Sequence, residues 1–241
     1  QPTANKDQTR TLGRRRLCAD CFTRGVAEIC GKIWKSQRGI YNDQAVFKSA
    51  TSKGLDIVSH ELTHGLVEND GPRLLKSSSP QTAALNEAIA DIMACIVDGN
   101  FTIGENSDIN ELARPSGLLR NIKNPHSGQR GTNNWQADYA NGYSANHYDE
   151  FVGKQDAAHY NSTIISHAFY LMSGNGQLNR MTNLFYKVVT ERLTRSAKFS
   201  DFVKAFIEVA NEEEGYNSYP VKKIKEAFEQ VGLGIEDPID F

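Results

Sequence analysis

The sequence predicts a mostly helical α+β protein, and three features carry that prediction. Apolar residues recur at steps of three and four through most of the chain. Only one short stretch, 44–48 (QAVFK), reads as a strand. A long segment rich in Gly, Asn, Ser and Pro, 99–155, has little periodicity and reads as loops with short helical turns. Across 241 residues, 27 Lys+Arg stand against 29 Asp+Glu, a net charge of −2. That balance leaves no broad basic face to gather phosphates, so no nucleic-acid partner is expected. Four cysteines are too few for a disulfide framework. No stretch reaches the roughly 18 uninterrupted apolar residues of a membrane helix, so no membrane partner is expected and a soluble monomer is. The chain starts at Gln1 with no apolar signal core, which reads as a processed product, a trimmed chain or a fragment whose export signal would lie upstream.

In order, residues 1–16 carry few apolar side chains, end in three arginines and read as a loose solvated arm. Phe22, Val26, Ile29, Cys30, Ile33 and Trp34 then share one helical face, so a helix is expected from Cys18 to near Gly39. Residues 49–54 form a polar loop. The next helix runs from Leu55 to Glu68, closed by the turn signals Asn69, Asp70, Gly71 and Pro72. Past the loop Ser77–Pro80, another covers Thr82 to Asp98. Periodicity returns at Ile164–Met172, Leu184–Leu193, Phe202–Ala210 and Val221–Val231, with Ser200 as N-cap of the third, so the second half reads as a helical bundle. Cys18 and Cys21 form a CxxC with Cys30 nearby, but a fourth metal ligand is missing. Cys30 on the apolar face reads as a buried thiol, and in an exported chain one disulfide among the three is the alternative. Cys95 reads as core.

The chemistry lies in Leu55–Gly65, LDIVSHELTHG. On a helix His60 and His64 stand one turn apart on one face, so both imidazoles reach one cation, with Glu61 beside the open coordination position. Neutral imidazole suits zinc, and a carboxylate next to a metal-polarised water can accept its proton. A catalytic zinc needs a third protein ligand. The next helix carries Glu87 and Asp91 at i, i+4 among Ala84, Leu85, Ala88, Ile89, Ala90, Ile92, Met93 and Ala94. A helix so poor in other polar groups is buried, and buried carboxylates need partners. Glu87 completes a His2Glu set, and Asp91 can accept the second N–H of a ligand histidine.

His60-Glu61-Leu62-Thr63-His64 paired with Asn86-Glu87-Ala88-Ile89-Ala90-Asp91 resembles the thermolysin family of zinc metallopeptidases. Leu118-Leu119-Arg120-Asn121 and His159-Tyr160-Asn161-Ser162 resemble two later segments of that family, in the same order, and the likeness covers roughly residues 54–235. The resemblance implies a secreted zinc endopeptidase acting on peptide or protein substrates. The fold it implies is a zincin-type catalytic core, with 60–241 as a helical C-terminal domain and 1–59 as a truncated β-containing N-terminal part. His60, His64 and Glu87 match the zinc ligands, Glu61 the general base and Asp91 the acid behind a ligand histidine. His159 matches the residue that stabilises the oxyanion, Asp156 its orienting carboxylate, and Arg120 the guanidinium that binds a substrate carbonyl. Ile57 and Leu119 match positions lining the pocket for a bulky hydrophobic residue after the cleaved bond. Calcium is a second implied metal, with Asp56, Asp98, Asn100 and Glu105 on or near the matching acidic positions. Thr102 stands at another and the loop looks shorter than usual, which favours one calcium site over two.

The chain departs from the family pattern in two places. Only 59 residues precede His60: either the helix at 18–37 matches the family's long N-terminal-domain helix with the next strands missing, or Trp34 and Tyr41 match its edge strand, where its Asn-Ala pair reads Gly31-Lys32. Leu74-Leu75-Lys76 falls where a tyrosine is usual. These departures set a second expectation beside the enzyme: a catalytically impaired zinc-binding fragment acting as a binding module.

Overall fold

The computed structural model describes residues 54–69, 78–105, 116–127 and 143–234. The arm 1–16, the helix from Cys18, the strand 44–48, Trp34, Tyr41, the three N-terminal cysteines and Leu74–Lys76 lie outside the described residues. What is described is mostly helical, as the sequence predicts, with one small sheet inside the stretch that the sequence reads as loops. Helix α1 spans Leu55–Asn69 and runs unbroken through the 59/60 point. Helix α2 spans Pro80–Asp98, two residues longer at its start than the apolar pattern indicates. Ser79 caps it, its hydroxyl accepting from Thr82 N at 3.5 Å, and Pro80 fits the first turn because it lacks an N–H that would go unsatisfied there. Gly99 ends it in the left-handed conformation, φ 80°, with its N–H on the Cys95 carbonyl.

After α2 the chain makes a short antiparallel pair, β1 (Thr102–Ile103) and β2 (Arg120–Asn121), with Ile103 opposite Arg120. Leu119 N donates to Ile103 O at 2.8 Å and Ile122 N to Phe101 O at 2.9 Å, which extends the ladder by one bond on each side. Short 3-10 turns follow at Pro125–Ser127, Tyr148–Glu150 and Gln155–Ala157.

The second half is the predicted bundle: α3 (Ala158–Met172), α4 (Leu178–Lys187) continued by a π turn over Val188–Arg192, α5 (Phe199–Glu214) and α6 (Tyr219–Gln230). Several boundaries differ from the sequence reading. Helix α3 begins six residues before Ile164, α4 six residues before Leu184, and Ser200 lies inside α5. At that last end Lys198 is the cap, and its N–H donates to the Asp201 carboxylate at 2.8 Å.

Helix α2 is the central element, packed between α1 and α3. Leu85, Ile89 and Ile92 on α2 join Phe169, Phe185, Phe199, Phe202, Phe206 and Phe228 in the main core, all of them fully buried. A smaller apolar cluster, Ile57, Ala94, Cys95, Ile103 and Ile122, fastens α1 and the strand pair to the other side of α2. Leu119 packs against it. The two clusters clamp α2, so the carboxylates it carries are held from both sides. No helix among the described residues is long and apolar enough to cross a membrane.

Candidate metal centre

Two helices supply the centre. One turn of α1 separates His60 from His64, whose rings stand edge to face at 88° with centroids 4.7 Å apart. Their Nε2 atoms face each other at 3.1 Å. Glu87 reaches in from α2, with Oε2 3.2 Å from His60 Nε2 and Oε1 3.5 Å from His64 Nε2. Zinc–ligand bonds of about 2.0–2.1 Å in tetrahedral array set ligand atoms about 3.3 Å apart, and the contacts of 3.1, 3.2 and 3.5 Å, the last two ending on the two oxygens of the Glu87 carboxylate, are close to that spacing. Among the described residues this is the one group of His, Cys, Asp and Glu that gathers three ligand atoms closely enough for a metal ion. Glu87 Oε2 is buried there, with ring nitrogens of His60 and His159 at 3.2 and 3.1 Å. Two imidazole nitrogens and a carboxylate oxygen converging in a half-dry site are a donor set suited to zinc, so the residues fit the metal.

Behind the triangle stands Asp91, fully buried. His60 Nδ1 lies 2.9 Å from Asp91 Oδ1, which fixes the ring with Nε2 outward. Arg120, placed by β2, donates Nε to Oδ2 at 2.7 Å and Nη2 to Oδ1 at 2.6 Å. Ser162 Oγ on α3 adds a longer contact to Oδ2 at 3.4 Å. Burial alone would raise the Asp91 pKa, but the Arg120 charge and the His60 contact outweigh it and hold the carboxyl down at about 2. Burial likewise works against charge on His60, yet Asp91 and Glu87 push its imidazolium up to about 9. Glu87 lies well below the usual carboxylate range, because His159, His60 and His64 together overcome its burial.

Two residues with no assigned role in the sequence reading also belong to this arrangement. Asn86 sets its side-chain amide 3.0 Å from His64 Nδ1. A ring that binds metal through Nε2 carries its proton on Nδ1 and needs an acceptor there. Half a turn of the amide supplies Oδ1, an atom otherwise buried without a partner. The signal in the sequence was its place beside Glu87. Ser162, inside the quoted segment His159–Ser162, is the other.

The remaining predicted residues distribute as follows. Glu61 lies on α1 between the two histidines, partly exposed, with no ion-pair or hydrogen-bond partner for its carboxylate among the described residues. His159, in the first turn of α3, is 55% exposed and sets Nε2 3.1 Å from Glu87 Oε2, so it borders the triangle from the open side. Asp156 is exposed on the 3-10 turn just before α3. Ile57 is buried and Leu119 half-buried in the smaller apolar cluster. Of the calcium candidates, Asp98, Asn100 and Glu105 come together at the loop after α2, and Asp56 joins that loop by accepting from Gly104 N. Their arrangement does not fit a cation, because Asn100 Nδ2 is bonded to both neighbouring carboxylates, 2.6 Å from Asp98 Oδ2 and 2.5 Å from Glu105 Oε1.

Comparison with known proteins points the same way as the geometry. The family model described as "Thermolysin metallopeptidase, alpha-helical domain" matches residues 78–233. The chain is 31% identical over 210 residues to gelatinase from Enterococcus faecalis, covering 86% of this chain and 39% of that protein. It is 27% identical over 221 residues to bacillolysin from Bacillus cereus, covering 83% and 36%. It is 28% identical over 221 residues to thermolysin from Alicyclobacillus acidocaldarius, covering 83% and 37%. The chain thus spans under two fifths of the length of these relatives. Among solved structures, the precursor of protealysin, a metalloproteinase from Serratia proteamaculans, superposes with a TM-score of 0.65 at 20% identity, over 80% of this chain and 61% of that one. At that identity the likeness speaks for the fold.

Proposed function

The chain belongs to the thermolysin metallopeptidase family, and from that premise we propose that it is a zinc-dependent endopeptidase cleaving peptide bonds before bulky hydrophobic residues. The observation that carries the proposal is the triangle of His60, His64 and Glu87, of zinc-binding size and backed by an ionised Asp91. When bound there, zinc supplies Lewis-acid polarisation of a water and of the scissile carbonyl. The protein's own residues do the rest. Glu61 accepts the proton that the attacking water loses and hands it to the departing amine nitrogen, a transfer worth about 10²–10⁴-fold. His159 turns Nε2–H from Glu87 toward the carbonyl oxygen as negative charge builds on it, with Asp156 orienting the ring. Arg120 commits Nε and Nη2 to Asp91, which leaves Nη1 to donate to a substrate carbonyl. Ile57 and Leu119 offer an apolar wall to the side chain after the cleaved bond. Zinc is the one metal in this reading, and the protein acts as an exported monomer on peptide or protein substrates.

Glu61→Gln is the deciding variant. Zinc analysis and a casein cleavage assay on wild type and variant should find one zinc per chain in both and hydrolysis in the wild type alone, abolished there by a zinc chelator. Hydrolysis that survives Glu61→Gln overturns the mechanism. Full zinc with no cleavage by the wild type replaces the enzyme with a zinc-stabilised binding module.

A further inference from the structure

The loop from Gly99 to Glu105 carries the chain from α2 into β1, and one side chain holds it together. Asn100 Oδ1 accepts from Thr102 N at 2.9 Å and from Thr102 Oγ1 at 2.8 Å. Those bonds decide which end of the amide faces the acids. Reversed, Nδ2 would meet the Thr102 N–H donor against donor, and Oδ1 would meet two carboxylates. In the observed sense Nδ2 donates to Asp98 Oδ2 and Glu105 Oε1. Asp56, buried in the first turn of α1, accepts from Ile57 N at 2.8 Å and from Gly104 N of the same loop.

The acids that the family resemblance would give to calcium are therefore already engaged by N–H donors. Asp98 Oδ1 and Glu105 Oε2 are left, the latter buried with no partner among the described residues. Calcium takes about 6–8 oxygens at roughly 2.3–2.6 Å, and among the described residues these acids leave it only two carboxylate oxygens that accept no hydrogen bond. An NH2 group is no ligand, and this one bridges the pair of carboxylates that a cation would have to join. Thr102, at another of the acidic positions, uses its hydroxyl as a donor to Asn100. We propose that the Asn100 amide takes the place of a cation among Asp98, Glu105 and Asp56, so that this chain closes the loop after α2 without calcium. The consequence reaches the metal centre. Ile103 of β1 pairs with Arg120, so the loop that Asn100 closes also holds the strand presenting Arg120 to Asp91.

The test uses the full zinc-loaded chain in calcium-free, zinc-containing buffer, titrated with calcium and, as a control, with magnesium at equal ionic strength. Radioactive-calcium equilibrium dialysis should find no saturable binding tighter than about 1 mM, and the thermal midpoint should move by less than about 1 °C. Asn100→Asp, alone or with Thr102→Glu, should create a saturable calcium site at unchanged zinc content. At calcium 100 times its dissociation constant, the variant midpoint should rise by roughly 5–10 °C. One calcium per wild-type chain at sub-millimolar affinity overturns the proposal. So does a folded Asn100→Asp, Thr102→Glu variant that ignores calcium, since Asn100 would then not be standing where the ion belongs. If neither variant folds, the wild-type titration decides alone. Zinc content and casein cleavage, read on the same samples, keep this outcome separate from that of the zinc peptidase.

Discussion

Replacing Asp91 by Asn changes few atoms and removes the charge on which several contacts depend. The carboxylate receives two N–H bonds from Arg120 at 2.7 and 2.6 Å, lies 2.9 Å from His60 Nδ1 and is approached by Ser162 Oγ at 3.4 Å. An asparagine has one acceptor oxygen to offer, and its own NH2 must point at one of those donors. The Arg120 guanidinium, 7% exposed, would stay buried with no counter-charge. Breaking a buried pair from one side costs about 3–5 kcal/mol. At roughly 2–4 °C per kcal/mol for a domain of this size, the thermal midpoint of zinc-loaded Asp91→Asn should fall by roughly 6–20 °C. Zinc affinity should fall separately, by about 10–100-fold, because the His60 ring loses its anchor. Melting curves measure the first effect, and competition with a chromophoric zinc chelator measures the second. The double variant Asp91→Asn, Arg120→Met removes the stranded charge as well, so it should recover most of the stability and none of the zinc affinity. If Asp91→Asn melts within a degree or two of wild type, the ion pair is not holding α2 to β2. If the double variant regains zinc affinity along with stability, the anchoring of His60 by Asp91 is refuted.

Asn86→Ala should weaken zinc binding by about 10–100-fold with little change in the fold, because His64 Nδ1 loses its acceptor; an unchanged zinc dissociation constant removes Asn86 from the site. His167 should titrate below its ordinary 6.5, since burial and the nearby His126 charge outweigh its Nδ1–H bond to the Ile122 carbonyl at 2.8 Å. The folded state then holds fewer protons than the unfolded one, so the His167 contribution is full above 6.5 and is lost as pH falls through the folded-state pKa. NMR titration of the ring reads this directly, and a midpoint at or above 6.5 contradicts it. Gly232→Ala should destabilise by about 1–3 kcal/mol, because φ is +74° there and a Cβ would sit 2.5 Å from His147 Cε1. A melting temperature equal to wild type would mean that the half-exposed His147 ring swings aside and the backbone relaxes.

Where the sequence was legible, two signals agreed; where it was not, polar side chains were doing buried work. Helices α1 and α2 could be read almost to the residue because their apolar spacing, the turn residues after Asn69 and the His/Glu spacing all point to the same segments. Helix α3 was read six residues short for a physical reason. Asn161, Ser162 and Thr163 are completely buried in its first turns, where Asn161 clamps the Val152 backbone at 3.0 and 2.8 Å and Thr163 Oγ1 bonds the Ala145 carbonyl at 2.6 Å. A periodicity argument counts such residues as solvent-facing, so it fails at the segment that packs against the metal centre. The strand pair was missed for a different reason: at two residues per strand it is too short for any alternation to register.

The same limit separates the two metals. For zinc, residue type and spacing decide nearly everything, because a histidine pair one helical turn apart has few other arrangements, and the triangle assembles accordingly. For calcium, the ligands are oxygens that any backbone N–H or side-chain amide can also engage. Whether an acid is a ligand or a hydrogen-bond acceptor then depends on what stands next to it. Asp98 and Glu105 sit where the resemblance implies, and their partner is an NH2 group. A carboxylate at position 100 would repel both, and a cation would be needed to hold the three together; the amide meets the same two oxygens with two protons of its own. One atom type at one position therefore decides between a metal-dependent loop and a self-contained one. Position-by-position matching of acidic residues cannot read that choice, and the hydrogen bond from Thr102 N, which fixes the orientation of the amide, can.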